Sequence, residues 1–289
     1  MQIYVCVKQT PDSTSVYIDP ISGQVDVERF VQILNPADAC ALEAAVRLKE
    51  SLGATVTVLT LGPRDAEGAL RAALAIGADA AVRIWNSDAI AWGPFAVAAT
   101  LAAYFTHVGI TPDLVFCGDT SSDWSSGAVG PALAQQLALS QVTGVAQLKV
   151  HMSEPLRLHL TRKLERGYRE LLEAETPLLI TVTADLNEPR YPSLPAHLAA
   201  LKASIPVLDP RTFMSVTHED NDETTLLEMH TPRPRPRYVA TPNSSDSAYR
   251  RIGAIISGGA TGRKARLLEG TPEELAEALV EFLREREFV

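Results

Sequence analysis

The sequence lacks several features that mark common protein classes. Its 289 residues include only three cysteines, and none of them forms a Cys-x-x-Cys pair. This excludes a disulfide-stapled fold and a zinc finger, and it is typical of a reducing compartment, so we expect a cytoplasmic protein. Basic residues are also scarce. The 26 Lys and Arg against 35 Asp and Glu give a net charge of −9, which argues against nucleic acid as a partner.

Long apolar runs are absent as well. The richest stretch, residues 92–108, is interrupted by Gly93 and Pro94, so we predict no direct insertion into a membrane. Residues 1–5 lack the basic segment and the cleavage site of a signal peptide, and we expect them to begin a strand. The chain has no Gly-x-Gly-x-x-Gly fingerprint, and its six histidines show no metal-binding spacing, so no metal site is predicted.

The sequence does contain a regular alternation of apolar runs and helical patterns. Strands are predicted at residues 3–7, 55–61, 81–85 and 114–117. Helices are predicted at residues 36–52, 65–76, 94–107 and 130–139, the first of them capped by Asn35. Strand–helix–strand units at this spacing give parallel strands, and strands that are apolar throughout are covered on both faces. We therefore predict an α/β fold with a doubly wound, mostly parallel, Rossmann-like sheet.

The pattern changes in the second half of the chain. Alternating runs at 156–160 and 168–174, followed by a buried run at 178–182, predict a small antiparallel meander that returns to the sheet. We predict a nucleotide-binding domain at residues 1–204 and an extended C-terminal arm at residues 205–289 with a Pro-Arg run at 232–237. The arm ends in an amphipathic helix with a Thr271–Glu274 capping box and an apolar stripe at Leu275, Leu279, Phe282 and Leu283. Such an arm suits a grip on a partner subunit.

Ligands of open parallel sheets bind at the carboxyl ends of strands, where the strand order reverses. Here those ends carry residues 6–12, 62–65 and 118–130. The last segment is rich in small hydroxyl residues and enters a helix, so its amides favour an anion such as a phosphate. A Ser-rich connector with a helix cap is the alternative, and spacing alone favours neither. Cys6 and Cys117 should end neighbouring strands as buried packing residues, with a catalytic thiol as the alternative.

Four segments resemble a known family. They are Val5–Asp12, Asn35–Glu50, Ala72–Asp79 and, most specific of all, Ala184–Pro195. Together they are similar to the β subunits of electron-transfer flavoproteins, the EtfB/FixA family. The likeness runs to about residue 205 and is looser in the tail.

The resemblance implies an electron carrier rather than an enzyme, with a Rossmann-like domain of the adenine-nucleotide-binding type. Its partner would be an α subunit, and the catalytically important FAD would be held mainly by that subunit. Electrons would pass between dehydrogenases and a downstream acceptor, with a quinone oxidoreductase as a further candidate partner. The β subunit would hold AMP, or a second FAD in members that carry out electron bifurcation, and both options stay open here. The alternative function is a stand-alone adenine-nucleotide-binding regulator of the stress-protein type.

The resemblance also implies site residues, each by its position in the family's motifs. The nucleotide site would comprise Cys6, Asn35, Pro36, Ala37, Asp38, Leu61, Gly118, Asp119, Thr120, Ser121, Ser122, Asp123, Trp124, Ser125, Ser126, Gly127, Ala128 and Val129. Docking on partner dehydrogenases would involve Tyr191, Pro192, Ser193, Leu194 and Pro195, with Leu194 as the apolar anchor. Lys163 departs from the family, which carries an acidic residue near the FAD at this place, and Glu165 lies two residues further on.

Overall fold

The computed structural model describes residues 1–17, 19, 30–87, 92–151, 153, 155–214, 245–256 and 270–285. The chain divides into two compact units, residues 1–231 and residues 232–289. The predicted Pro-Arg run at residues 232–237 lies outside the described residues, and so does the side chain of Leu283.

The described part of the first unit contains eleven strands and five α-helices. The strands are β1 (Gln2–Cys6), β2 (Gln9–Pro11), β3 (Gln32–Leu34), β4 (Thr55–Leu61), β5 (Ala80–Ile84), β6 (Leu114–Gly118), β7 (Ser140–His151), β8 (Arg157–Lys163), β9 (Arg169–Glu175), β10 (Leu178–Val182) and β11 (Val207–Leu208). The helices are α1 (Pro36–Leu52), α2 (Glu67–Ile76), α3 (Pro94–Val108), α4 (Val129–Gln136) and α5 (Leu194–Lys202).

Nine of these strands form one sheet in the order β11-β5-β4-β1-β6-β10-β7-β8-β9. Neighbouring strands from β11 to β7 run parallel, and β7, β8 and β9 form an antiparallel meander at the other edge. The short strands β2 and β3 pair with each other. The predicted fold class, a doubly wound, mostly parallel sheet with a small meander, is confirmed.

Apolar side chains cover both faces of the parallel strands. In β1, Ile3 and Val5 face the layer that contains α1 and α2, whereas Tyr4 and Cys6 face the layer that contains α3 and α4. All four are buried. Two cores, one on each face, explain why these strands are apolar without alternation.

Several elements differ from the predictions. The meander begins earlier than predicted, because β7 is a twelve-residue strand with mixed polarity. Residues around Leu194 form the helix α5, which was not predicted because prolines flank its first position. Strand β11 lies beyond the predicted boundary at residue 204 and pairs with β5. The division of the chain at 204 and the packing of the arm on a partner stay predictions.

The second unit contains two described helices, α6 (Ala248–Ile256) and α7 (Pro272–Glu285). The predicted capping box of α7 is confirmed. The N–H of Thr271 donates to the Glu274 carboxylate at 2.9 Å, and the N–H of Glu274 donates to Thr271 Oγ1 at 3.4 Å. Leu279 and Phe282 are about half exposed, so α7 presents an uncovered apolar stripe.

Candidate functional site

The candidate site lies where the strand order reverses along the sheet. Strand β1 has β4 on one side and β6 on the other, and Cys6 lies directly opposite Cys117. Both side chains are buried, as predicted. The hydrogen bond between the two thiols and the burial raise the pKa of Cys117 well above its usual value. A protonated, buried thiol suits packing rather than nucleophilic chemistry.

Asp38 in the first turn of α1 connects the two strand ends. Its carboxylate oxygens accept the backbone N–H groups of Lys8 and Gly118, each at 2.8 Å. The residue is 6% exposed. Burial raises the pKa of Asp38 to about 7, against the opposing effect of the two amides, Asn35 and the Lys8 ammonium group. The charge of this carboxyl group therefore changes near neutral pH.

The approach of β6 to α1 requires glycine at position 118. A Cβ atom there would lie 2.4 Å from Asp38 Oδ1 and 2.8 Å from the Cβ of Ala37. Pro36 occupies the first turn of α1, where it has no N–H to leave unpaired. The predicted residues 36–38 and Gly118 are thus brought together by direct contact.

The prediction that the Asn35 side chain caps α1 is wrong. It makes no hydrogen bond to the amides of the helix. Instead, Asn35 Nδ2 donates to the carbonyl oxygen of Thr120 at 3.0 Å, and Asn35 Oδ1 accepts the N–H of Ser122 at 3.1 Å. A side-chain amide can satisfy a donor and an acceptor at once, whereas capping would use its oxygen alone. Asn35, which is 2% exposed, therefore fixes the loop after β6.

Two further contacts join this loop to the segment after β1. Ser122 Oγ donates to Thr10 Oγ1 at 2.9 Å, and Lys8 Nζ lies 2.6 Å from a carboxylate oxygen of Asp123. Burial alone would raise the pKa of Asp123, but hydrogen bonds, the largest from Lys8, lower it. Lys8 and Thr10 were not predicted as site residues. The available signal was their place in the predicted strand-end segment 6–12.

We call the hydrogen-bonded group that results the strand-end cluster. Its members are Lys8, Thr10, Asn35, Asp38, Gly118, Thr120, Ser122 and Asp123. Other predicted residues lie around it. Leu61 ends β4 and is half-buried, whereas Trp124 is 72% exposed on the surface of the loop. Ser125 and Gly127 adopt left-handed backbone angles, with φ of 51° and 62°, and turn the chain towards α4.

The start of α4 supplies donors for an anion. The N–H groups of a helix's first turn have no acceptor within the helix, and those of α4 include Val129 and Gly130. Gly130 lies so close to β10 that a Cβ there would be 2.5 Å from Thr181 Cγ2. Backbone amides at the start of a helix are the kind of donors that a phosphate group accepts from. The residues present therefore fit the phosphate of a nucleotide.

Lys163 at the end of β8 pairs with an aspartate. Its ammonium nitrogen lies 2.6 Å from Asp185 Oδ2, and this contact lowers the pKa of Asp185. Both side chains are more than half exposed. Glu165 lies in the exposed turn between β8 and β9.

The segment at residues 191–195 projects from the surface. Tyr191 is 97% exposed and Leu194 is 69% exposed. Ser193 caps α5 by accepting the N–H of Ala196 at 3.3 Å. Leu194, the apolar anchor that the family resemblance implies, is therefore the exposed first residue of a helix.

Two further properties concern the part of the chain that the structure describes. No helix in it is long and apolar enough to cross a membrane. Within the same residues, no group of three His, Cys, Asp or Glu side chains could hold a metal ion.

Known proteins are similar in sequence to this chain over most of its length. Residues 24–212 match the family model described as the electron transfer flavoprotein domain. The electron transfer flavoprotein subunit beta of Thermoanaerobacterium thermosaccharolyticum is 41% identical over 194 residues, which cover 67% of this chain and 72% of the relative. The caffeyl-CoA reductase-Etf complex subunit CarD of Acetobacterium woodii is 39% identical over 208 residues, covering 72% of this chain and 78% of the relative.

Protein FixA of Azotobacter vinelandii matches over a longer stretch. It is 32% identical over 256 residues, which cover 86% of this chain and 90% of the relative. An alignment of that breadth extends into the second unit, which begins at residue 232. The chain therefore belongs to the electron-transfer flavoprotein family, among its β subunits and FixA proteins.

Proposed function

We propose that this chain is the β subunit of a heterodimeric electron-transfer flavoprotein. It would shuttle electrons between dehydrogenases and a downstream acceptor through FAD held mainly by the α subunit. The observation that carries the proposal, together with the family, is the strand-end cluster. There the buried Asp38 and Asn35 side chains hold the loop at residues 118–128 next to the first turn of α4.

The nucleotide of this subunit would be AMP or a second FAD. The amides at the start of α4 would bind its phosphate, and the strand-end cluster would keep the loop in place around it. Burial raises the pKa of the carboxyl group of Asp119, which begins this loop. A bound flavin supplies the uptake and release of electrons, whereas the residues of this chain bind, orient and shield.

The partner dehydrogenase would be an enzyme that acts on CoA thioesters. Support comes from the relative named as a caffeyl-CoA reductase-Etf complex subunit. The exposed segment from Tyr191 to Pro195 would contact this partner, with Leu194 as the apolar anchor. A quinone oxidoreductase is a further candidate partner, and the complex would work in the cytoplasm.

The residues beyond 204 would bind the α subunit. The apolar stripe of α7, with Leu279 and Phe282 about half exposed, suits burial against another polypeptide. In α6, Tyr249 and Ile252 are also exposed. Each helix is short, and an exposed amphipathic helix gains most of its stability from packing.

Co-expression with an electron-transfer flavoprotein α subunit tests the proposal. We expect a yellow complex with equal amounts of both chains, which on denaturation releases FAD and either AMP or a second equivalent of FAD. Chromatography of the released nucleotides decides between the two. A colourless, solitary chain without adenine nucleotide would contradict the proposal.

Removal of residues 232–289 separates this function from the alternative one. The truncated chain keeps β11 and the whole sheet. An electron-transfer β subunit should then lose its α partner in co-purification. A stand-alone regulator of the stress-protein type should bind ATP as before and need no partner.

A further inference from the structure

The segment that precedes Tyr191 is bound along α1. Asn187 Nδ2 donates to the carbonyl oxygen of Cys40 at 2.9 Å, and the Cys40 thiol lies 3.4 Å from the carbonyl oxygen of Asn187. Arg47 Nη2 donates to the carbonyl oxygen of Glu188 at 3.3 Å. These contacts hold residues 187–188 on one side of the helix.

Arg190 makes the strongest of the contacts with α1. Its Nε donates to Glu43 Oε2 at 2.9 Å, and its Nη2 lies 3.1 Å from Glu43 Oε1 and 3.0 Å from Glu50 Oε2. Nη1 also donates to Glu50, and the backbone N–H of Arg190 donates to Glu43 at 3.2 Å. We call this arrangement the Arg190 clamp.

The Glu43 and Arg190 side chains of the clamp are both ionised. The Glu43 side chain is only 2% exposed. Burial alone would raise the pKa of Glu43, but hydrogen bonds from Arg190 and Arg47 lower it below its usual value. Hydrogen bonds to Glu50 and Glu43 raise the pKa of Arg190. Both partners therefore stay ionised, and a planar guanidinium group matches two carboxylates better than an ammonium group can.

The exposed segment begins directly after the clamp. Tyr191 is 97% exposed, and Leu194, Leu198 and Leu201 are 69%, 49% and 52% exposed. The three leucines are spaced i, i+4 and i+7, so they form one stripe along α5. Residue 190 lies four positions before the first residue of this helix.

A second arginine holds the other end of α5. Arg71 of α2 donates to the carbonyl oxygens of Ala200, Leu201 and Ala203 at 2.9, 2.9 and 3.1 Å. The last carbonyl groups of a helix have no partner within it, so a cation at this place satisfies and stabilises them. Arg71 thus holds the end of α5, and the Arg190 clamp holds the chain four residues before the helix starts.

We propose that Arg190 is a positioning residue for docking: its ion pairs with Glu43 and Glu50 fix the leucine stripe of α5 in the orientation that the partner dehydrogenase contacts. This inference rests on the proposed function, in which residues 191–195 meet that partner. It goes beyond that function because Arg190 lies outside the docking segment of residues 191–195. It acts through the backbone of the segment that follows it, by limiting the orientations that α5 can sample.

Three variants of the αβ complex test the proposal. Arg190→Gln removes the clamp, and Arg190→Lys keeps the charge but not the planar fork. Glu50→Gln removes only the more exposed carboxylate and serves if Arg190→Gln fails to fold. The matched control is Arg157→Gln, because Arg157 on β8 also pairs with two carboxylates, Glu173 and Glu175.

Two measurements are made on each complex. The first is hydrogen exchange of the hydrogen-bonded amides of α5, at residues 196–202. The second is electron transfer from a purified acyl-CoA dehydrogenase, supplied with its acyl-CoA substrate, at varied dehydrogenase concentration. Reoxidation of the reduced complex by ferricyanide reports flavin function without docking, and flavin content is measured in parallel.

We expect Arg190→Gln to speed exchange at residues 196–199, the hydrogen-bonded amides of the first part of α5, and to raise the KM for the dehydrogenase by about fivefold with little change in kcat. Arg190→Lys should show a smaller rise, and Arg157→Gln should resemble the wild type. Flavin content and ferricyanide reoxidation should not change. Wild-type exchange in Arg190→Gln, or in Glu50→Gln if that variant has to replace it, would overturn the proposal. Faster exchange with an unchanged KM would overturn it too.

Leu194→Ala separates this inference from the proposed function. A raised KM in Leu194→Ala with a normal KM in Arg190→Gln would refute the positioning role alone. A normal KM in both variants would refute the docking role of the segment, and the positioning role with it.

Discussion

The contact between Gly118 and Asp38 makes Gly118→Ala the sharpest test of the candidate site. The new Cβ would lie 2.4 Å from Asp38 Oδ1, 2.8 Å from Ala37 Cβ and 3.0 Å from the backbone nitrogen of Asp38. Two of these atoms belong to the backbone or the first side-chain carbon of α1. They cannot rotate away, so the helix start or the end of β6 has to move.

The expected cost follows from two contributions. Overpacking of a close contact costs about 1–3 kcal/mol. Displacement of the Asp38 carboxylate breaks at least one hydrogen bond to a charged group, which contributes a further 1.5–3 kcal/mol or so. We therefore expect Gly118→Ala to lower the free energy of unfolding by about 2.5–6 kcal/mol, a large share of the roughly 5–15 kcal/mol that domains typically have.

Urea unfolding of the αβ complex at a fixed protein concentration measures this change, and the released nucleotide is quantified in parallel. Gly68→Ala is the matched control. Its Cβ would meet only the side-chain amide nitrogen of Gln9, at 3.2 Å, and alanine is favoured inside a helix such as α2. A Gly118→Ala complex with the wild-type midpoint and full nucleotide content would refute the reasoning.

Three further predictions concern Asp38, Asn35 and Arg71. The pKa of Asp38 is raised from 3.8 to about 7 in the folded state. The folded chain therefore holds this proton more tightly than the unfolded chain does. The contribution of Asp38 to stability consequently falls as the pH rises from 3.8 to about 7. Urea midpoints from pH 5 to 8 should therefore decline in the wild type relative to Asp38→Asn, and parallel curves would contradict this. Asn35→Ala should lower stability by about 1–3 kcal/mol and weaken nucleotide retention, since two loop hydrogen bonds are lost; unchanged nucleotide content would remove Asn35 from the site. Arg71→Gln should speed hydrogen exchange at residues 200–203 but leave the hydrogen-bonded amides of residues 196–198 protected, and a uniform change across α5 would show that its two ends are not held separately.

The sequence predicted those parts of the fold that depend on local patterns. The parallel strands are short apolar runs, and the capping box at Thr271 lies within four residues of the chain. Helix α5 escaped prediction because its stability depends on Arg71, which is about 130 residues away. The prolines beside Leu194 also masked the helix, although proline is favoured in the first turn of a helix.

The candidate site shows the same limit. The segments at the strand ends could be identified, since a doubly wound sheet places them together. The role of Asn35 could not, because capping is a local interaction and its actual partner Ser122 lies 87 residues further along. Likewise, the sequence does not pair Arg190 with Glu43, 147 residues earlier. Contacts between distant side chains arise only after the sheet has formed.

Helix α1 contributes residues to two surfaces of the molecule. Its first turn, with Asp38, belongs to the strand-end cluster, and Cys40, Glu43 and Glu50 further along it bind residues 187–190. A tilt of this helix would displace the strand-end cluster and residues 187–190 together. To transfer the partner preference of one relative to another, α1 and residues 184–202 would therefore have to be exchanged together. A substitution that moves α1 at one surface also changes the other surface.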